Sequence, residues 1–478
     1  MKNMTIQAVA QACGGSLTAA EAARHTINTE ITAITTDSRK VTCGCLFVAI
    51  PGARVDGHDF IGQVIRDGAA AVLGERDPEE LQLTAGEKTA AYIQVPSSLQ
   101  AVKMIARFYL QQLQIPVVGV TGSVGKTSTK EMIASVLEQK YRVLKTEGNF
   151  NNELGLPLTV FRLREEDEIA VLEMGISDFG EMHRLADVAR PDTCVITNIG
   201  TCHLEQLGDR DGVLRAKTEI FDFLRPDGHI VLNGEDDKLA LVNRAEETVR
   251  FGLQDNAELY LNGGDSAVPQ ITADQIVSHG ITGSSCRIHT PQGDFHAEIQ
   301  VPGIHAVYNA MAAAAVGLIY GLTLEEIRRG IASSETIAGR FRIIETGFCT
   351  VIDDCYNANP MSMKASLNVL KHAAGRKVAL LGDMGELGVN EKALHEEVGS
   401  AAADFGIDAY YCAGPLSVHL IDALKKGGAP AETRHFDSTD DLMDALPGLI
   451  HRDDTILVKA SHFMKFEKLV EALQNITT

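Results

Sequence analysis

The chain lacks any apolar stretch long enough to cross a membrane. The longest, 310–322, falls well short of the roughly 20 residues a spanning helix needs, so no integral membrane contact is expected. Its first residues, MKNMTIQAVAQAC, carry one lysine and no sustained apolar core, which argues against a secretory signal. Basic residues are scarce: 43 Lys and Arg stand against 64 Asp and Glu, a formal charge of −21. That balance excludes a generic nucleic-acid or anionic-membrane surface, so an anionic ligand must be held by a local device. Paired cysteines are missing too. The nine cysteines are an odd number scattered through apolar runs, and Cys43-x-Cys45 has no partner pair at metal spacing. They read as reduced thiols of a cytoplasmic protein. Repeats of about 20–50 residues and low-complexity tracts are absent. What is present is ordinary globular composition, 45% apolar and 22% charged, over 478 residues, a length that implies more than one domain.

Three α/β segments can be separated. The first, 1–114, has short apolar runs at 46–50 and 70–73, helical spacing over 60–70, and a helix expected over 97–113. The second, 115–335, opens with an apolar run at 117–120 that leads into a glycine turn and a helix over 126–138. Further strands are expected at 169–173, 193–197 and 229–233, with helical patterns between them. The third, 336–478, has strand-like runs at 350–353, 377–381, 409–412 and 455–459. Strands alternating with helices predict parallel sheets covered on both faces.

The strongest local signal is Thr121-Gly122-Ser123-Val124-Gly125-Lys126-Thr127-Ser128 between a strand and a helix. Glycines let backbone N–H groups converge on phosphate oxygens, and the helix N-terminus adds partial positive charge. Lys126 can reach the β- and γ-phosphates of a nucleotide, and the Thr127 hydroxyl can hold Mg²⁺. The strict eight-residue pattern fails, because Val120 stands where its first glycine belongs; a shorter Gly-x-x-Gly-Lys-Thr loop matches. A GTPase would need Asn-Lys-x-Asp, which is missing. A transport ATPase or helicase would end its second strand in Asp, whereas this strand ends in Glu173. An ATP-using enzyme with large separate substrate domains remains.

Taken in order, the phosphate loop, Gly148-Asn-Phe-Asn-Asn-Glu-Leu-Gly-Leu-Pro-Leu-Thr159, Leu172-Glu-Met-Gly175, Asn198-Ile-Gly-Thr-Cys-His203 and Asp354-Cys-Tyr-Asn-Ala-Asn-Pro360 resemble the Mur ligases. Gly382-Asp-Met-Gly-Glu-Leu-Gly388, Val458-Lys-Ala-Ser-His462, Thr36-Asp-Ser-Arg39 and Asp56-Gly-His-Asp-Phe60 extend the likeness over about residues 30–470. The segment around Asp354 points to the branch that adds D-Ala-D-Ala. The branch that adds the third peptide residue carries a histidine there and an Asp-Asn-Pro-Arg motif missing here. The resemblance implies a small N-terminal α/β domain that grips a UDP-sugar, a central P-loop ATPase-type parallel sheet, and a C-terminal Rossmann-like domain. It implies ATP and Mg²⁺ as cofactors, UDP-MurNAc-tripeptide and D-Ala-D-Ala as substrates, an acyl-phosphate intermediate, and a monomer.

By the same resemblance Glu173 and His203 ligate Mg²⁺ with Thr127, Asn309 lies on the adenine side, and Arg340 meets the γ-phosphate. Asp354 binds the ribose hydroxyls, with Asn357 in the same cleft. Family members usually have an asparagine where Ala306 stands, and Gly and Arg where Ala460 and His462 stand. Ser38, Arg39, Asp56, Gly57 and His58 match segments linked to the UDP group, and Asn149, Asn151 and Asn152 are expected to meet substrate. Lys217 lies one turn from Val213 and Phe221, with Ile220 and Leu224 extending the helical spacing, so it is expected to face inward. The family carries a carbamylated lysine in such a setting, an anion suited to Mg²⁺. A nucleotide-binding switch that ligates nothing, and a folate- or cyanophycin-type amide ligase, are the alternatives.

Overall fold

The computed structural model describes residues 1–19, 26–52, 55–81, 90–253 and 269–476. They form three sheets. The first has five strands in the order Ser16–Thr18, Ala91–Gln94, Ala71–Gly74, Leu46–Val48, Ile34–Thr35, parallel except for the first.

The nine-stranded central sheet runs Gly293–Ile299, Ser284–Thr290, Ile271–Ser278, Glu247–Leu253, His229–Asn233, Thr193–Ile196, Val117–Thr121, Ile169–Glu173, Val143–Lys145. All run the same way except Ser284–Thr290, which is antiparallel to both of its neighbours. The third sheet has six strands, Arg342–Glu345, Thr350–Asp353, Thr455–Lys459, Lys377–Gly382, Ala409–Ala413 and Glu432–Phe436, with the first antiparallel. The inner strands are apolar on both faces and buried along their length, as a doubly covered parallel sheet requires.

The longest apolar stretch belongs to the helix Ile304–Ile319, which is alanine-rich and buried nearly all round. Small side chains let it lie close to the helix Lys126–Leu137 that follows the phosphate loop. Nearby, a Cβ on Gly330 would sit 2.4 Å from Val136 Cα, so the helix Leu324–Ala332 can cross there only with glycine. Among the described residues no helix is long and apolar enough to cross a membrane.

One local expectation changes, and the outer strands of the central sheet had no signal in the sequence. The helical pattern around Lys217 is a helix, Arg210–Thr218, that tightens into a 3₁₀ turn, Glu219–Phe223. Thr218 Oγ1 donates back to the carbonyls of Leu214 and Arg215, a bond that competes with helix propagation. The outer strands from Glu247–Leu253 to Gly293–Ile299 carry no long apolar run to announce them. Their exposed positions hold charged and polar groups, such as Arg287 paired with Asp294 at 3.1 Å.

The helix Ser98–Leu113 starts where Ser97 Oγ accepts from Gln100 N and ends at Gln114 in the left-handed region. It buries Ala101, Val102, Ile105, Ala106, Tyr109 and Leu110 in a core shared by the first and central sheets. Lys103 pairs with Glu153 at 2.8 Å, Arg107 with Asp187 at 2.9 Å, and Tyr109 Oη donates to Leu163 O at 2.6 Å. The joint between the first two segments is therefore a packed core. Ile105→Ala should lower stability by about 2–4 kcal/mol, as a buried large-to-small change does. Both segments should melt together, earlier than the wild type, in a calorimetric scan. A loss confined to the first segment would contradict a shared core.

Candidate active site

The strand Val117–Thr121 lies inside the central sheet, between Ile169–Glu173 and Thr193–Ile196, and its C-terminal end opens into a crevice where α/β sheets bind ligands. There the chain turns through Gly122, with φ +148°, and Gly125, with φ +82°. A Cβ on Gly122 would lie 1.9 Å from Thr197 Oγ1, so only glycine allows the loop this close to the next strand. The loop is braced from the far side. Thr197 Oγ1 and Asn198 Nδ2 donate to Val124 O at 2.6 and 2.9 Å, and Ser123 N donates to Asn198 O at 3.0 Å. Ser123 Oγ accepts from Gly200 N at 2.8 Å. The helix Lys126–Leu137 begins with no side-chain cap, leaving its first N–H groups for an anion. Lys126 Nζ donates to Gly122 O at 2.8 Å, and burial holds its pKa below the ordinary lysine value.

Glu173 ends the neighbouring strand and is 1% exposed. Its Oε1 accepts from Asn151 Nδ2 at 2.7 Å, while Oε2 is buried and meets no donor among the described residues. Its backbone N donates to Thr146 Oγ1 at 3.0 Å, and the fully buried Lys130 donates to Thr146 O at 2.5 Å. The segment 146–151 thus fixes Glu173, a role for Lys130 and Thr146 that their sequence context did not signal. Lys217 is fully buried, and its Nζ has no partner among the described residues. Burial lowers its pKa to about 8, so neutral amine becomes available at much lower pH than for a solvated lysine. Lys217 is not among the residues that line the neighbouring cavity. His203, in the left-handed region at φ +52°, places Nδ1 2.7 Å from Glu386 Oε2 of the third segment. This close contact lacks the alignment of a hydrogen bond. The histidine holds the Glu386 carboxyl below its usual pKa.

One cavity of about 840 Å³ joins these parts. Residues 123–128, Asn151, Asn152, Glu173, His203 and Asn309 line it from the central segment, and Arg340, Asp354, Tyr356, Asn357 and Lys459 from the third. The volume suits a nucleotide with part of a second ligand. Asn309 Oδ1 accepts from Thr129 Oγ1 at 2.9 Å, leaving Nδ2 buried and unpaired among the described residues. Ala306 is fully buried in the apolar core and needs no polar partner. Arg340 Cζ lies 4.0 Å from the centre of the Tyr356 ring, a cation–π contact that the sequence motif did not single out. The His462 ring lies 5.7 Å from Tyr356 and is not part of the cavity wall. Asp354 Oδ2 accepts from Lys459 Nζ and Ser366 Oγ, each at 2.6 Å. Asn357 Oδ1 accepts from Ala358 N at 2.9 Å, and Asn359 caps the helix Pro360–Leu370.

The other expected substrate residues divide. Asn152 caps the short helix Gly155–Val160 through Gly155 N, Asn151 is committed to Glu173, and Asn149 is exposed. In the first sheet, Ser38 and Arg39 follow the strand Ile34–Thr35, and Asp56, Gly57 and His58 follow its parallel neighbour Leu46–Val48. Arg39 is exposed and paired with Asp37 at 2.9 Å. His58 is buried: Nδ1 lies 2.6 Å from Asp56 Oδ1, and Nε2 accepts from Glu75 N at 2.8 Å. With both ring nitrogens committed, His58 shapes the loop and has no free edge for a ligand. Gly57 packs on Ala49 and Ile50 so closely that a Cβ would lie 2.7 Å from Ile50 N.

Comparison with known proteins follows the same division. The Mur ligase family catalytic domain matches residues 30–110, the Mur ligase middle domain 120–317, and the Mur ligase glutamate ligase domain 339–462. UDP-N-acetylmuramoyl-tripeptide–D-alanyl-D-alanine ligase of Bacillus subtilis (strain 168) is 37% identical over 93% of each chain. Its counterpart from Escherichia coli (strain K12) is 36% identical over 92% of this chain and 93% of its own. A crystal structure of MurF from Acinetobacter baumannii superposes with TM-score 0.86 at 31% identity over 99% of both chains. MurF ligase from Thermotoga maritima in complex with ADP gives 0.78 at 29% identity over 92% of this chain and 97% of its own. With these relatives, the P-loop on a parallel sheet facing a second α/β unit across one cavity belongs to an ATP-using ligase. The chain belongs to the Mur ligase family.

Gly122→Ala should force the loop away from Thr197. Nucleotide affinity is expected to fall at least about ten-fold by calorimetric titration, with the fold retained by circular dichroism. Wild-type affinity would show that the close approach is dispensable.

Proposed function

We propose that this protein joins D-Ala-D-Ala to the terminal carboxylate of UDP-MurNAc-tripeptide, at the cost of ATP, to give the pentapeptide precursor of peptidoglycan. The observation that carries the reading is the single cavity in which the phosphate loop, the orphaned carboxylate oxygen of Glu173, and Arg340 and Asp354 of the third segment meet. The names of relatives that match over more than nine-tenths of their length support it.

In this reading the tripeptide carboxylate attacks the γ-phosphorus, ADP leaves, and an acyl phosphate forms. The D-Ala-D-Ala amine then attacks the acyl carbon, loses its proton, and expels phosphate through a tetrahedral intermediate. The protein supplies position and charge neutralisation. N–H groups of Gly125, Lys126, Thr127 and Ser128 face the phosphates, the turn Gly122–Ser123–Val124, whose Ser123 and Val124 N–H groups are donated to Asn198, shapes the loop around them, and the Lys126 and Arg340 cations flank them. Asn309 offers its unpaired Nδ2 to the base, and Asp354, beside Asn357, reaches the ribose. Ser38 and Arg39, with the loop Asp56–Gly57–His58, serve the UDP end, while Asn149, Asn151 and Asn152 border the peptide end.

Thr127, Glu173, His203 and a carbamylated Lys217 would hold Mg²⁺, which would screen the phosphate charge. The fit rests on two orphaned buried atoms, Glu173 Oε2 and Lys217 Nζ. A buried carboxylate oxygen without a donor and an amine without acceptors are each costly alone. Carbon dioxide adds to the neutral amine, a proton leaves, and the resulting anion removes the unpaired cation. The protein acts as a cytoplasmic monomer.

Phosphate release should require both UDP-MurNAc-tripeptide and D-Ala-D-Ala, and Lys126→Ala should reduce it by at least about a thousand-fold while the melting curve stays close to wild type. Phosphate release that ignores both substrates would favour a nucleotide switch instead. For Lys217, ¹³C-labelled bicarbonate is expected to give a carbamate resonance that Lys217→Ala removes. No such resonance in the wild type would leave Lys217 an unmodified buried amine.

A further inference from the structure

Lys459 ends a central strand of the third sheet, is 2% exposed, and has no role in the chemistry above. A buried ammonium on the wall of a nucleotide cavity invites the reading of a phosphate ligand. Its bonds exclude that. Nζ donates to Asp354 Oδ2 at 2.6 Å, to Asn357 O at 3.2 Å and to Asp354 O at 3.4 Å, so its three N–H groups are already directed at three protein acceptors. Ser366 Oγ lies 2.6 Å from the same Oδ2 and is itself held 2.9 Å from Ser362 O. Asp354 Oδ2 is therefore engaged twice from the protein side, whereas Oδ1 meets no donor among the described residues, and Asp354 lines the cavity.

We propose that Lys459 is the positioning residue that makes Asp354 a one-sided acceptor: by engaging Oδ2 together with Ser366, it leaves Oδ1 alone to accept from the ribose hydroxyls of the nucleotide. This rests on the assignment of Asp354 to the ribose in the proposed ligase reaction. Two further features agree. The carbonyls of Asp354 and Asn357 that Lys459 gathers belong to the turn between the strand Thr350–Asp353 and the helix Pro360–Leu370. That turn also carries Tyr356, the support of Arg340, so one ammonium sets both the carboxylate and its turn. Replacing Lys459 by a neutral side chain leaves Ser366 as the one remaining hold on the carboxylate and a negative charge without its cationic partner.

The readout is discrimination between ATP and 2′,3′-dideoxy-ATP, which a general loss of stability would not alter. The wild type is expected to prefer ATP by about ten-fold or more, and Lys459→Met to bring the ratio close to one. Ser366→Ala, a milder change at the same oxygen, should give an intermediate ratio; it also keeps the question open to test if Lys459→Met does not fold. Asp354→Asn alone should match Lys459→Met, and the double variant should be no worse than either. A wild-type ratio in folded Lys459→Met, or in Ser366→Ala should Lys459→Met not fold, overturns the role of Lys459. If phosphate release still depends on both substrates, the ligase reading survives that failure. Absence of ATP binding by the wild type would overturn both.

Discussion

The closeness of the phosphate loop to the end of the strand beside it governs the rest of the site. Thr197 and Asn198 grip the loop at Val124, and Gly122 must be glycine for that grip to exist. Held there, the start of the helix Lys126–Leu137 points uncapped N–H groups into the crevice. This answers the problem set by a chain of net charge −21: an anion is bound through backbone dipoles and a few buried cations, with no broad basic surface. Glu173 and Lys126 end up around one crevice because their segments leave the same edge of one parallel sheet.

Buried polar groups at the site fall into two groups. Lys130, Lys459 and Asp354 are partnered, and their bonds fix loops: Lys130 holds Thr146, Lys459 holds the turn that carries Tyr356, and Ser366 joins Lys459 on Asp354. Glu173 Oε2, Lys217 Nζ and Asn309 Nδ2 are left without partners. A folded chain tolerates such atoms at a cost of roughly 1–3 kcal/mol each, and Glu173 and Asn309 line the cavity, which marks them as groups kept for a ligand. The partnered set supplies rigidity and the unpartnered set supplies affinity.

The third segment completes the cavity. Arg340, stacked on Tyr356, and Asp354 both come from it, and Glu386 touches His203 across the same gap. A site assembled from two sheets can exclude water only when both are in place, which ties reactivity to their relative position. The first segment is joined differently. Its helix Ser98–Leu113 shares one apolar core with the central sheet, so it moves with that sheet.

Much of this was legible in the sequence because the decisive groups are local. The glycine loop, the apolar strands that precede Gly122 and end at Glu173, and the inward lysine at position 217 follow from residue type and spacing within a few turns of chain. The outer strands of the central sheet were not legible, since their exposed faces carry Arg287, Asp294 and similar groups in place of an apolar run. Nor could the sequence say that His58 would be spent on Asp56 and Glu75, that Asn152 would cap a helix, or that Tyr356 would carry Arg340. Those outcomes depend on how loops fold back in space, even over short separations, and the bond between Lys459 and Asp354 spans 105 positions. Spacing along the chain encodes which side chains share an element; only packing decides which of their donors and acceptors are consumed inside the protein and which are left for a ligand.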